Sequence, residues 1–321
     1  MSRDLMRAAP SRPSRRRFLK ISAAFLGGAV LASTGPASSA LAIQQWSGQA
    51  LGAHTTIRLA GASPETAAAA FAAVEAEVAR LEGLFSLYRT DSLLARLNRD
   101  GSLAAPPADL LDLLTEARAA WRATGGLFDP TVQPLFDLYA RHFSAPDADP
   151  AGPARDALDR ALDTIGFADV DFDEDAIRLR RPGMALTFNG IAQGFITDRI
   201  ADLLRARGFA NMLLDLGEIR ASGSGRAGQG WPIRVETSDI HLDLRDQAVA
   251  TSRPLGTVLD AQGRFGHIFD PRRGFVATEI AQATVIAPRA AEADALSTAA
   301  ALMPRTRLDR LQRPDLTILT L

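Results

Sequence analysis

The chain has 321 residues with 36 basic and 37 acidic side chains, long enough to bury one large core or two small ones. It contains no cysteine, which excludes disulfides, thiolate catalysis, cysteine-ligated metals and lipidation at a cysteine. Its one lysine, Lys20, lies near the start, so the rest of the chain can use neither a Schiff base nor a phosphate-loop lysine.

The segment Ser14-Arg15-Arg16-Arg17-Phe18-Leu19-Lys20 has the form of a twin-arginine export signal. An apolar run from Ile21 to Ser33 follows, and Ala40-Leu41-Ala42 offers the small residues a signal peptidase reads, so cleavage is expected after Ala42. Gly27 and Gly28 interrupt the apolar run, which falls short of the roughly 20 residues a spanning helix needs. The expectation is a twin-arginine signal peptide over residues 1–42, one domain over 43–321, a periplasmic location and no stable membrane span after cleavage. Seven of the 36 basic and one of the 37 acidic residues lie in the leader, leaving 29 against 36, a formal net charge of −7. That balance argues against nucleic acid as a partner, since a binder needs basic groups to neutralise phosphates.

Thr55–Leu59 reads as a strand. Ser63-Pro64-Glu65 is a helix start with Pro at the first helical position, and Phe71, Val74, Val78 and Leu81 share one helical face. Phe85-Ser86-Leu87-Tyr88 follows in a polar loop, where Tyr88 can stack on a planar ligand or fill the core. A second helix is expected after Pro106-Pro107, with Leu110, Leu113, Leu114, Ala117 and Trp121 on its apolar side and a stop at Gly125-Gly126. Then comes Leu127-Phe128-Asp129-Pro130-Thr131, where Asp129 can cap the next segment. Residues 144–153 read as a surface loop.

A strand is expected over Ala185–Phe188, passing through Thr187-Phe188-Asn189-Gly190-Ile191-Ala192-Gln193-Gly194 into a third helix from Ala192 to Gly208. Two glycines there allow close backbone approach, and a helix start offers free N–H groups to phosphate; a plain turn fits equally well. Strands are then expected at Asn211–Leu216, Ile233–Glu236, Ala248–Thr251 and Ala283–Ile286. Because they follow one another without a helix between, the fold class is α+β, a largely antiparallel sheet packed with helices in a single domain. Between the last two lies Gly266-His267-Ile268-Phe269-Asp270-Pro271, a polar loop whose histidine can exchange protons. In the last helix, from about Pro288 to Met303, Asp294, Ser297 and Thr298 stand at i, i+3 and i+4 on one face. Such a set can offer oxygens to a hard cation, or be an ordinary acidic helix start.

The order of these segments is more telling than any one of them. F-S-x-Y-x-x-x-S, T-G-G-x-F-D-P-T, N-G-I-A-Q-G-F-x-x-D, D-L-G-E-I-x-x-S-G, A-V-A-T-S, H-I-F-D-P-R-x-G and E-A-D-A-x-S-T together resemble the FAD:protein FMN transferase family, over about residues 46–303. The resemblance implies an enzyme that reacts FAD with a Ser or Thr hydroxyl of a flavoprotein acceptor, periplasmic or membrane-bound, leaving FMN in phosphoester linkage and releasing AMP. It also implies a Mg²⁺ site on Asp294, Thr298 and the carbonyl of Gly190, with Ser297 as a further oxygen. The FAD pocket it implies draws on Leu51, Tyr88, Leu127, Phe128, Asp129, Thr187, Gln193 and Phe269, with His267 and Asp270 as catalytic residues near the pyrophosphate. Gln193 stands where Lys or Glu is common, and Asp215-Leu216-Gly217-Glu218 lacks a usual second glycine. The N-G-I-A-Q-G form, with a twin-arginine leader and no cysteine for lipidation, is most similar to the accessory flavin transferases of nitrous-oxide reduction. Two alternatives remain open at this point: an FAD pyrophosphatase on the same scaffold, and a non-catalytic periplasmic flavin-binding protein.

Overall fold

The computed structural model describes residues 42–50, 52–225, 228–235 and 240–321. Residues 1–41 of the expected signal peptide lie outside the described residues, as do Leu51 and Glu236. No helix among the described residues is long and apolar enough to cross a membrane.

The frame is a seven-stranded sheet in which every neighbouring pair is antiparallel. Its strands are β1 (Ile43–Ala50), β2 (Ala53–Ala60), β6 (Met212–Asp215), β7 (Ile219–Ser222), β10 (Ala248–Ser252), β11 (Ala283–Ala287) and β12 (Thr317–Thr320), in that spatial order. Inserted between β2 and β6 is a small sheet of β3 (Ser102–Ala104), β4 (Val170–Phe172) and β5 (Ala176–Leu179). A hairpin of β8 (Trp231–Arg234) and β9 (His241–Leu244) is separate again. The α+β expectation is therefore met: among the described residues the run from 211 to 286 holds no α-helix, and its strands pair antiparallel.

Three helices build the core against the large sheet: α1 (Pro64–Phe85), α6 (Ala192–Ala206) and α7 (Ala290–Ala300). On α1 the Ser63 hydroxyl accepts the Thr66 N–H at 3.2 Å, and Ala67, Ala70, Val74, Val78, Leu81 and Phe85 recur at helical spacing on the buried face. By contrast α6 and α7 are buried nearly all round, because small residues let them approach closely. A Cβ on Gly194 would lie 2.3 Å from the Ala290 carbonyl oxygen, so only glycine allows this contact. The start of α7 is capped by Asp198 on α6, whose two carboxylate oxygens accept the N–H groups of Ala290 and Ala291 at 3.0 Å each. Arg220 and Arg289 pair with the same carboxylate and offset its charge. Thus the last Asp of N-G-I-A-Q-G-F-x-x-D fixes where α7 begins.

Of the other helices, α2 (Leu93–Asp100) and α3 (Ala108–Ala123) join the same core, while α4 (Gln133–Phe143) and α5 (Arg155–Leu162) pack around a separate cluster. The segment Ala185–Phe188 is not a strand, contrary to its apolar pattern. Its main chain is held instead by a side chain: Asn98 on α2 accepts the Leu186 N–H at 2.7 Å and donates to the Leu186 carbonyl at 2.8 Å, while the Thr187 N–H goes to Pro130. One amide does the work of a neighbouring strand and leaves no room for a ladder. The strand expected at Ile233–Glu236 begins two residues earlier, at Trp231, where the indole N–H is tied to the Ser222 carbonyl.

Candidate functional site

A cleft opens where the start of α6, one face of α7, the end of β10 and two loops converge. Its lining includes Leu127, Phe128 and Asp129 from the loop after α3, and Thr187, Asn189, Gly190 and Gln193 from the passage into α6. Glu218 joins from the turn before β7, Thr251 and Ser252 from β10, His267 and Phe269 from the loop before β11, and Asp294 and Thr298 from α7. Gln133 and Phe136 close one side.

Asp294 is buried and poorly served. It accepts one hydrogen bond, from the Gly194 N–H at 3.1 Å, and burial pushes its pKa up to about 7. Glu218 lies beside it, also buried, and is pushed well above the usual carboxylate value by burial and by the charge of Asp294. Neither carboxylate pairs with an arginine among the described residues. Thr298 stands one helical turn after Asp294 and against Gly190, where a Cβ would meet its hydroxyl at 2.9 Å. The Gln193 amide is buried in the same wall, and its nitrogen has no hydrogen-bond partner among the described residues.

This donor set fits a hard divalent cation: oxygen atoms only, from one carboxylate, one hydroxyl and the passage at Gly190, beside uncompensated buried charge. No three His, Asp or Glu side chains converge on one point among the described residues. A cation here would therefore rest on a single carboxylate with neutral oxygens and water around it, the usual habit of Mg²⁺.

His267 faces the same cleft. Its Nδ1 lies 3.2 Å from the Thr257 carbonyl, which can only accept, so the proton sits on Nδ1 and Nε2 carries the free lone pair. Burial lowers its pKa below the ordinary 6.5, keeping the ring neutral near pH 7. A neutral imidazole with an open Nε2 can take a proton.

Other expected site residues stand elsewhere or are spent on structure. Asp129 lines the cleft, yet its carboxylate accepts the Thr131 N–H at 2.8 Å, the Trp121 indole N–H and the Phe167 N–H at 3.1 Å each, and the Thr131 hydroxyl. Asp270 does not line the cleft: its buried carboxylate accepts the Arg272 N–H at 2.8 Å and pairs with Arg273 at 2.9 Å, folding the turn back to Gly274. Ser297 is wholly buried and is not among the residues that line the cleft, its hydroxyl donating to the Asp294 carbonyl at 3.0 Å. Tyr88 is 65% exposed and outside the lining, while its neighbours Ser86 and Ser92 serve the end of α1 and the cap of α2. Glu218 and Ser252 were not singled out from sequence as site residues. Their signal was present in D-L-G-E and A-V-A-T-S, each a polar residue at the edge of a buried strand.

The ApbE family model matches residues 51–319. The chain belongs to the ApbE family. Among its curated relatives, the FAD:protein FMN transferase of Treponema pallidum is 29% identical over 300 residues, covering 84% of this chain and 82% of its own. The FAD:protein FMN transferase of Klebsiella pneumoniae is 28% identical over 301 residues, covering 86% and 84%. The solved ApbE protein of Thermotoga maritima superposes with a TM-score of 0.73 at 26% identity, covering 87% of this chain and 94% of its own. The flavin transferase ApbE of Vibrio cholerae gives a TM-score of 0.75 at 23% identity, a likeness of fold.

Proposed function

We propose that this ApbE-family chain transfers the FMN half of FAD to a Ser or Thr hydroxyl of another protein and releases AMP. The observation that carries the reading is the convergence of Asp294, Thr298 and Gly190 with the open Nε2 of His267 on one cleft. In the reaction the acceptor oxygen bonds to the FMN-side phosphorus of the pyrophosphate. The bond from that phosphorus to the bridging oxygen breaks, and AMP leaves with the electron pair. His267 Nε2 takes the hydroxyl proton. A Mg²⁺ ion on Asp294, Thr298 and the Gly190 carbonyl would supply positive charge to offset that gathering on the pyrophosphate. Phe128, Phe269 and Leu127 give the cleft apolar surface for a flavin ring, and Gln193 offers it an unspent amide donor.

The leader motif over residues 14–20, with the expected cleavage after Ala42, supports export by the twin-arginine route and hence a periplasmic or membrane-bound acceptor. The N-G-I-A-Q-G segment and that leader support the narrower reading that the acceptor serves nitrous-oxide reduction.

Intact mass spectrometry tests the reaction: protein, FAD and Mg²⁺ are mixed with a domain carrying a candidate acceptor Ser or Thr. A gain of one FMN on the domain, lost with Asp294→Ala, is the expected result. Release of FMN and AMP with no mass gain on any acceptor replaces transfer by hydrolysis, and bound FAD without turnover reduces the chain to a flavin binder.

A further inference from the structure

Three hydroxyls, those of Thr298, Ser252 and Ser297, form a chain from the cleft wall into the core, and each has a single proton to donate. Ser297 spends its proton on the Asp294 main-chain carbonyl at 3.0 Å. Ser297 Oγ lies 2.7 Å from Ser252 Oγ, and with the Ser297 proton committed, Ser252 is the donor there. Ser252 Oγ is then an acceptor toward Thr298 Oγ1 at 3.3 Å, so the Thr298 proton points at Ser252. What remains for the Gly190 side of the cleft is the lone pairs of Thr298, and a cation binds lone pairs, not protons.

We infer that Ser252, the last residue of β10, is a positioning residue for divalent-cation binding: it holds the Thr298 hydroxyl with its proton turned inward. The inference rests on the proposed reading of Asp294, Thr298 and Gly190 as the donors. A Thr298 hydroxyl without this acceptor samples orientations in which its proton faces the cation, and each of them costs affinity. Partners of this kind, one bond removed from the metal, typically govern 10- to 100-fold in affinity. The chain also joins the end of a strand to the last turn of α7, so Ser252 sets the orientation of a ligand on another element.

Mn²⁺ is the probe, and free Mn²⁺ is read by electron paramagnetic resonance during titration of the metal-free protein without FAD. The wild type, Ser252→Ala, Ser252→Thr and Asp294→Asn are compared, with thermal melts alongside. Ser252→Ala is expected to weaken Mn²⁺ about 10- to 100-fold at an unchanged melting temperature, and Ser252→Thr to restore most of the affinity. If Ser252→Ala binds like wild type while Asp294→Asn does not bind, the inference is overturned and the cation reading stands. If affinity falls with melting temperature and threonine does not restore it, Ser252 is merely structural and the inference fails. If the wild type takes up no Mn²⁺, the cation reading falls and the inference with it.

Discussion

A loop and a helix each bring a buried aspartate to the same cleft, and they use it in opposite ways. Asp129, after α3, is surrounded by four donors drawn from Trp121, Thr131 and Phe167, so its oxygens are spent on joining the loop to the small sheet. Asp294, on α7, receives one backbone N–H and stands next to a second buried carboxylate. Burial raises the pKa of both, which therefore does not separate them. The number of unspent lone pairs does. A carboxylate with its acceptors filled holds a fold together; one left open in a cleft is placed to bind something positive.

The sharpest break of this contrast is Asp294→Asn. Transfer should fall at least about a thousandfold, since several kcal/mol of charge stabilisation go with the cation. Without metal, the same variant should be no less stable than wild type, because the Gly194 N–H keeps an acceptor and a costly buried charge is gone. The pH dependence has a definite sign. With the folded pKa raised from 3.8 to about 7, the native state holds a proton that the unfolded state releases between those values. Metal-free wild type should therefore lose stability as pH rises through that window, and the variant should lose less, as denaturant melts at several pH values would register.

His267 extends the comparison to a nitrogen, one of its two ring atoms spent and the other open. Replacing it by Gln should lower turnover by about 10²–10⁴ while leaving FAD binding largely in place. Burial holds its pKa below 6.5, so the acid limb of the wild-type rate profile should lie below that value. An acid limb above 6.5, or one that survives His267→Gln, would assign the proton transfer to another group.

Asp129→Asn tests the other side. An asparagine presents one oxygen and one NH₂ where four donors now meet acceptors, so at least one buried N–H faces another donor. A loss of about 3 kcal/mol in unfolding free energy is expected, with turnover per folded molecule reduced far less than by Asp294→Asn.

Much of this was legible in the sequence where local chemistry alone decides the outcome. Ser63-Pro64 specifies the start of α1, the apolar spacing of its face specifies what it buries, and the helix-free run from 211 to 286 specifies an antiparallel sheet. The helix carrying Asp294 and the turn carrying His267 were legible for the same reason. What stayed hidden depends on partners far along the chain. Ala185–Phe188 has a strand's composition, but its main-chain groups are taken by the Asn98 amide and the Pro130 carbonyl, both distant in sequence. Ser297 has the right spacing for a ligand, but its proton is taken by the carbonyl of Asp294 and its oxygen faces Ser252. Glu218 enters the site because the turn at Gly217 closes beside Gln193, a contact between elements that spacing does not encode.

The mildest test concerns Asp270, which the motif H-I-F-D-P-R-x-G makes as prominent as Asp294. Its carboxylate resembles that of Asp129: one oxygen takes the Arg272 N–H and the other pairs with Arg273. In Asp270→Asn the remaining carbonyl oxygen can keep the Arg272 N–H, so the turn survives. What is lost is a pair with an arginine side chain that is 66% exposed, worth about 1 kcal/mol or less in water. Turnover should change by no more than a few fold, measured at saturating FAD on protein of wild-type melting temperature. A hundredfold drop with the fold intact would mean that a carboxylate with its lone pairs already engaged can still direct the chemistry, and the distinction between Asp129 and Asp294 would no longer identify the functional acid.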